Sequence, residues 1–185
     1  MANPFQQLRV DPESVKRSLA WYQKQVQNMR VTKNQVKRSL ATDGNTLKIG
    51  GLYLFNYDPK TKDTLPYYDT FPLVLPFNKA EGGFYGLNLH YLPYGLRFKL
   101  MGALLELVRD ISDPKSRAQV SWTILNNSAK YPGVSACVKR YLTDHVRSQF
   151  YTIPNDQWLA AATLPIEEFK GASKEQVFRD SRRMV

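Results

Sequence analysis

Val15, Leu19, Tyr22, Val26 and Met29 recur at alternating steps of four and three, while Lys16, Arg17, Lys24 and Gln27 fall between them. That spacing lays the apolar side chains along one stripe and predicts an amphipathic helix with a basic outer side. Asp11-Pro12 supplies its start, because Asp accepts amide bonds at an N-cap and Pro lacks a donor that the first turn would leave unused. Val36 and Leu40 continue the pattern after a break near Thr32, which is placed to cap a second short helix, and Asp43-Gly44-Asn45 ends it.

From Gly51 the period changes. Residues 51–57 (GLYLFNY) are rich in aromatic and β-compatible side chains, and Asp58-Pro59-Lys60 supplies a turn. Residues 71–77 (FPLVLPF) form an apolar run fenced by prolines, which predicts a strand near a sheet edge. A glycine-ended loop leads to the next strand, Phe84 to Leu92. Strand alternation puts Phe84, Gly86, Asn88 and His90 on one face and Tyr85, Leu87, Leu89 and Tyr91 on the other. His90 is therefore expected on the more polar, accessible face, with the Leu/Tyr face turned to the core.

Helical spacing then returns. Leu96, Leu100, Leu104 and Leu107 mark a helix over 94–108, and Asp113-Pro114 opens another that carries Trp122, Leu125 and Ala129 on one face before Tyr131-Pro132-Gly133 breaks it. Val134, Val138, Leu142 and His145 or Val146 predict a third helix ending near Phe150. Residues 151–153 are expected to return a strand to the sheet, followed by a short helix around Trp158 to Ala162. Ser173-Lys174-Glu175-Gln176 matches the S-x-x-Q capping box and starts a basic terminal helix. The pattern is α+β: a compact antiparallel β unit with an N-terminal helix and C-terminal helices. It divides into a basic helical arm over 1–45, a β and helical core over 46–169, and a basic tail over 170–185.

Charge sharpens this division. The 185 residues carry a net charge of +10. Eight basic residues against Asp11 and Glu13 give residues 1–42 a net +6, and residues 170–185 add +3, so the stretch between them holds only +1. Basic ends on a near-neutral body suit a polyanion such as DNA, or an acidic protein surface. Candidate contacts are Lys16, Arg17, Lys24, Arg30, Lys33, Lys37, Arg38, Arg182 and Arg183.

Little in the chain spells out catalysis. Neither phosphate-binding glycine motif occurs, and the glycines at 50–51 and 82–83 read as turn residues. Cys137 is the only cysteine, which excludes an intrachain disulfide and a thiolate zinc cluster, and it reads as a small core side chain. His90 and His145 are the only histidines, and no nucleophile-elbow signature accompanies them. Asp58, Asp63 and Asp69 read as turn residues pairing with Lys60 and Lys62, or alternatively as part of a magnesium-dependent nuclease site with His90. No metal and no cofactor are expected. Seven tyrosines crowd the β unit, suited to stacking on unpaired bases or to protein interfaces; Tyr67, Tyr68, Tyr91 and Tyr94 are assigned to an interface. The N-terminus lacks the apolar core of a signal peptide and no stretch is long and apolar enough to span a bilayer, so no membrane partner is expected.

Two resemblances add to this. The order GLYLFNYDP (51–59), FPLVL (71–75), glycine hairpin and strand resembles the small SH3-like β-barrel of plasmid-maintenance toxin ribonucleases, which implies a barrel. Phe71 stands where their pattern has arginine, so the nuclease activity does not carry over. The segments YDPKTKDTLPYYDTFPLVLPF (57–77), GFYGLNLHYLP (83–93) and GASKEQVFRDSRR (171–183) resemble virion proteins of contractile-tailed bacteriophages, DNA end protectors among them. That resemblance implies a non-enzymatic minor virion component, present in the host cytoplasm during assembly, that sits on packaged DNA ends or in the neck or baseplate. Its partners would be other phage virion proteins and DNA. A baseplate or tail subunit with protein-only contacts is one alternative, and the metal-dependent nuclease is the other.

Overall fold

Two capped helices open the described chain. The Ser18 hydroxyl accepts from the Trp21 amide at 3.3 Å and starts α2 (Leu19–Gln27), and Thr32 and Gln35 form a reciprocal capping box at the start of α3 (Lys33–Ser39). They follow a single-turn α1 (Pro4–Gln7). The computed structural model describes residues 3–8, 18–42, 44, 46–109, 111–113, 116, 123, 126–127 and 134–183. The expected start at Asp11-Pro12, Val15, Lys16, Arg17 and the face of Trp122, Leu125 and Ala129 lie outside those residues. Asp113 itself accepts the Ser116 amide at 2.7 Å, as an N-cap does.

The strands are β1 (Ala41–Thr42), β2 (Leu52–Leu54), β3 (Tyr68–Asp69), β4 (Leu73–Ala80), β5 (Gly83–Asn88), β6 (Val138–Leu142), β7 (Tyr151–Ile153) and β8 (Phe169–Lys170). Six of them form one antiparallel sheet in the order β1-β7-β2-β4-β5-β6, and β3 pairs with β8 as a separate ribbon. The α+β class holds, but the sheet is open: β1 and β6 are its two edges, and it does not close into the SH3-like barrel expected above. Further helices are α4 (Tyr94–Arg109), α5 (Trp158–Thr163) and α6 (Lys174–Arg183).

Each sheet face has its own apolar cluster. Leu52, Leu54, Leu73, Leu75, Leu87 and Ile153 face α1 to α5 and join Phe5, Val36, Met101 and Trp158 in the main core. Tyr53, Phe55, Tyr57, Val74, Phe84, Tyr141 and Phe150 cover the other face. There Phe55 meets Phe84, Tyr141 and Phe150 edge-on at 5.2–6.1 Å between ring centres, each contact worth about 0.5–1.5 kcal/mol beyond its buried area.

Five expectations are corrected. The run 71–77 is central, between β2 and β4's other neighbour β5; Pro76 is tolerated because β2 pairs only as far as Val74 and the register against β5 shifts between Pro76 and Asn78. Strand β5 ends at Asn88, and a 3₁₀ turn over Leu89–Tyr91 swings His90 inward until it is 0% exposed, so it is not on an accessible face. Of the first strand face, Phe84 and Gly86 are covered by the aromatic cluster, while Tyr85 is the exposed side chain. The third helix is instead the edge strand β6 flanked by 3₁₀ turns, because Val138 to Leu142 satisfy their backbone against Leu87 to Gly83. On α4 the buried face runs through Arg97, Met101 and Leu104, while Leu96 is 44% exposed. Helix α5 and the start of α6, where Ser173 Oγ accepts from the Gln176 amide at 3.3 Å, are as expected.

Candidate nucleic-acid interface

The edge strand β6 and the loop before β3 flank a cleft of about 500 Å³. Antiparallel register decides what faces it. Lys139 and Tyr141 share one face of β6 and lie opposite Gly86 and Phe84 of β5. Gly86 carries no side chain, and a Cβ there would sit 2.3 Å from Val74 Cγ1 and 3.1 Å from the Leu75 carbonyl oxygen. The place a side chain at Gly86 would take is thus already filled by Val74, and across the ladder Lys139 Nζ lies 4.1 Å from the centre of the Tyr91 ring.

Tyr57, Tyr67, Tyr68, Tyr91 and Tyr141 line the cleft, and Lys60 and Arg140 stand at its margins. Tyr91 and Tyr141 are buried, Tyr91 against Phe169 at 5.2 Å and Tyr141 stacked on Phe84 at 5.3 Å. Tyr67 is half-buried beside Tyr91 at 6.0 Å. Tyr68 is half-buried and packs on no other ring among the described residues. Burial raises the hydroxyls of Tyr57, Tyr67, Tyr91 and Tyr141 above the usual phenol range, so these rings stay neutral near an anion. Burial also lowers Lys139 below the ordinary lysine range, and no carboxylate among the described residues pairs with it.

Beneath the cleft lies a buried polar network. Asp69 Oδ2 accepts from His90 Nδ1 at 2.7 Å and from Asn88 Nδ2 at 3.2 Å, while its Oδ1 accepts the Phe71 amide at 3.0 Å and the Glu168 amide at 3.3 Å. Burial alone would push this carboxyl up, but attraction to His90 and the hydrogen bonds it accepts hold it below the usual carboxylate range. Arg97 is fully buried, donating through Nε to the Leu92 carbonyl at 2.6 Å and through Nη2 to the His90 carbonyl at 3.0 Å. Its Nη1 lies 3.5 Å from Glu167 Oε2, and Tyr94 donates its hydroxyl to Glu167 Oε1. Lys174 Nζ is 3.6 Å from that same Oε1 and closes a second hollow of about 390 Å³ over residues 167–174.

The aspartates named above do not converge. Asp58 is paired with Lys62 at 2.9 Å and approached by Arg147 at 3.9 Å, Asp63 is exposed, and only Asp69 reaches His90. Among the described residues no group of three His, Cys, Asp or Glu side chains is arranged to hold a metal ion.

The candidate cations separate into two kinds. Lys33 Nζ pairs with Glu168 Oε2 at 2.5 Å and lies 4.7 Å above Phe71, while Lys37 donates to Asn56 Oδ1 at 3.1 Å and lies 5.1 Å from the same ring, so both fasten α3 to the body. Lys24, Arg30, Arg38 and Arg183 are exposed and have no ion pair among the described residues; Arg182 is exposed and donates to the Phe178 carbonyl at 3.2 Å. Lys16 and Arg17 lie outside the described residues. Of the interface tyrosines, Tyr67 and Tyr68 line the cleft, Tyr91 forms its inner wall, and Tyr94 is tied to Glu167. The helical spacing of Val134, Val138 and Leu142 masks Lys139 in the sequence; the alternation of Val138, Arg140 and Leu142 with Lys139 and Tyr141 is the strand signal.

The open α+β sheet thus carries a tyrosine-lined cleft with Lys139 at its wall. The comparisons with known proteins make the class specific. The family model described as phage T4 terminal DNA protecting protein matches residues 6–183, and the chain belongs to that bacteriophage family. No curated protein and no solved structure matches it. Among the described residues no helix is long and apolar enough to cross a membrane.

Proposed function

We propose that this chain binds the ends of linear phage DNA as a non-enzymatic component of the virion. The observation that carries the reading is the family match along nearly the whole chain. The unpaired Lys139 in a tyrosine-lined cleft and the free cations Lys24, Arg30, Arg38 and Arg183 support it, since phosphate contacts position a protein on DNA without reading its sequence.

Competition between linear duplex and covalently closed circles of the same sequence tests end binding directly. Linear DNA should bind more tightly, be shielded from a processive exonuclease, and lose affinity steeply as salt rises. Equal affinity for circles and linear molecules would overturn the reading.

A further inference from the structure

Size restricts what the cleft on β6 admits. Its volume of about 500 Å³ lies within the roughly 300–1,000 Å³ of clefts that enclose small ligands, and a duplex end is far larger. If this protein meets DNA ends, a part of the end smaller than a base pair must enter.

Two of its lining side chains offer complementary chemistry. Tyr68 offers a half-exposed ring that no other ring among the described residues covers, and Lys139 holds its ammonium over Tyr91 with no carboxylate among them as a partner. An aromatic face and a cation lining one cleft match a nucleotide, whose base stacks and whose phosphate carries the charge. Asn88 and Asp69 of the inner wall, by contrast, are already engaged: Asn88 donates to Asp69 and accepts the His90 amide at 3.0 Å, and both Asp69 oxygens accept bonds.

We propose that the cleft receives one unpaired terminal nucleotide of the DNA, with its base on Tyr68 and its phosphate at Lys139 Nζ, irrespective of base identity. This rests on the end-binding reading. It makes fraying of the last base pair, or a short single-stranded tail, the recognised feature. A partly buried ammonium without a counter-ion also gains from a phosphate, which restores the charge balance that burial opposes.

The test uses the whole chain and hairpin duplexes with one open end, read by fluorescence anisotropy at fixed salt. The open end is flush, mismatched at the last pair, or carries a three-nucleotide 5′ or 3′ tail. Unpaired ends, of one polarity or both, should bind on the order of tenfold more tightly than flush ends, the scale of one base stacked on an aromatic ring. Tyr68→Ala should abolish that preference and Tyr68→Phe should keep it, with urea midpoints confirming that both are folded. Lys139→Gln should weaken binding and reduce the slope of log affinity against log salt by about 0.7, one single-strand phosphate. The four terminal bases should bind within about threefold of one another. The inference is overturned if open ends are preferred to closed circles but unpaired and flush ends bind alike, or if Tyr68→Ala keeps the preference. A preference above tenfold for one base overturns the sequence-neutral part. Failure to prefer open ends over circles overturns the end-binding reading as well.

Discussion

Replacing Asp69 by alanine removes the acceptor shared by four donors. His90 Nδ1 and Asn88 Nδ2 are left in a site where His90 is 0% and Asn88 1% exposed, and the amides of Phe71 and Glu168 lose their partner. Each orphaned buried donor costs about 1–3 kcal/mol, and relaxation keeps such losses from adding in full. Removal of one member of a buried polar pair typically costs about 3–5 kcal/mol, and that is the expected loss for Asp69→Ala. For a chain of this length it lowers the melting temperature by roughly 6–20 °C. Asp69→Asn keeps an acceptor for the amides and should lose less. Urea unfolding at neutral pH, with the slope m unchanged, measures the difference.

The same variant has a pH signature. The Asp69 carboxyl is held below its usual range in the folded chain, so its contribution is complete above the unfolded value of about 3.9 and is lost as pH falls through the lower folded value. The gap between wild type and Asp69→Ala should stay constant across moderately acidic pH and close only in strong acid. A neutral-pH loss below about 1 kcal/mol would refute the reasoning, because it would mean that the four donors find other partners.

Other predictions follow from the same geometry. Arg97→Met leaves Glu167 buried without its guanidinium; we expect a loss of about 3–5 kcal/mol at neutral pH, narrowing in acid because Glu167, pushed up by burial but pulled down by Arg97, His90 and Tyr94, contributes only while ionised. Gly86→Ala drives a Cβ against Val74 and the Leu75 carbonyl and should cost about 1–3 kcal/mol by urea titration. Burial pushes the Cys137 thiol up to about 12, so a thiol reagent at pH 8 should label the folded chain no faster than global opening allows and label it at once in urea. Lys33→Ala should change end binding little, because its ammonium is engaged with Glu168, whereas Arg38→Ala should reduce the salt slope.

Local chemistry was legible in the chain from the start. Thr32 caps α3, Ser173 opens α6, and residues 151–153 form a strand, because caps and short patterns depend on neighbours a few residues away. The basic ends and neutral middle also follow from composition alone. Tertiary structure decided everything that hung on pairing. An apolar step of four at Val134, Val138 and Leu142 is compatible with a helix, and only the ladder to β5 made it a strand that turns Lys139 toward Gly86. A histidine two residues beyond a strand's last paired residue has no face assigned by alternation; the turn at Leu89–Tyr91 and the distant Asp69 took it inside. The fate of Lys33 against that of Arg38 rests on Glu168, 135 residues away from Lys33. Propensity and period act over a turn or two of chain, whereas a cleft is made by segments that meet only once the backbone donors of the whole sheet have found their acceptors.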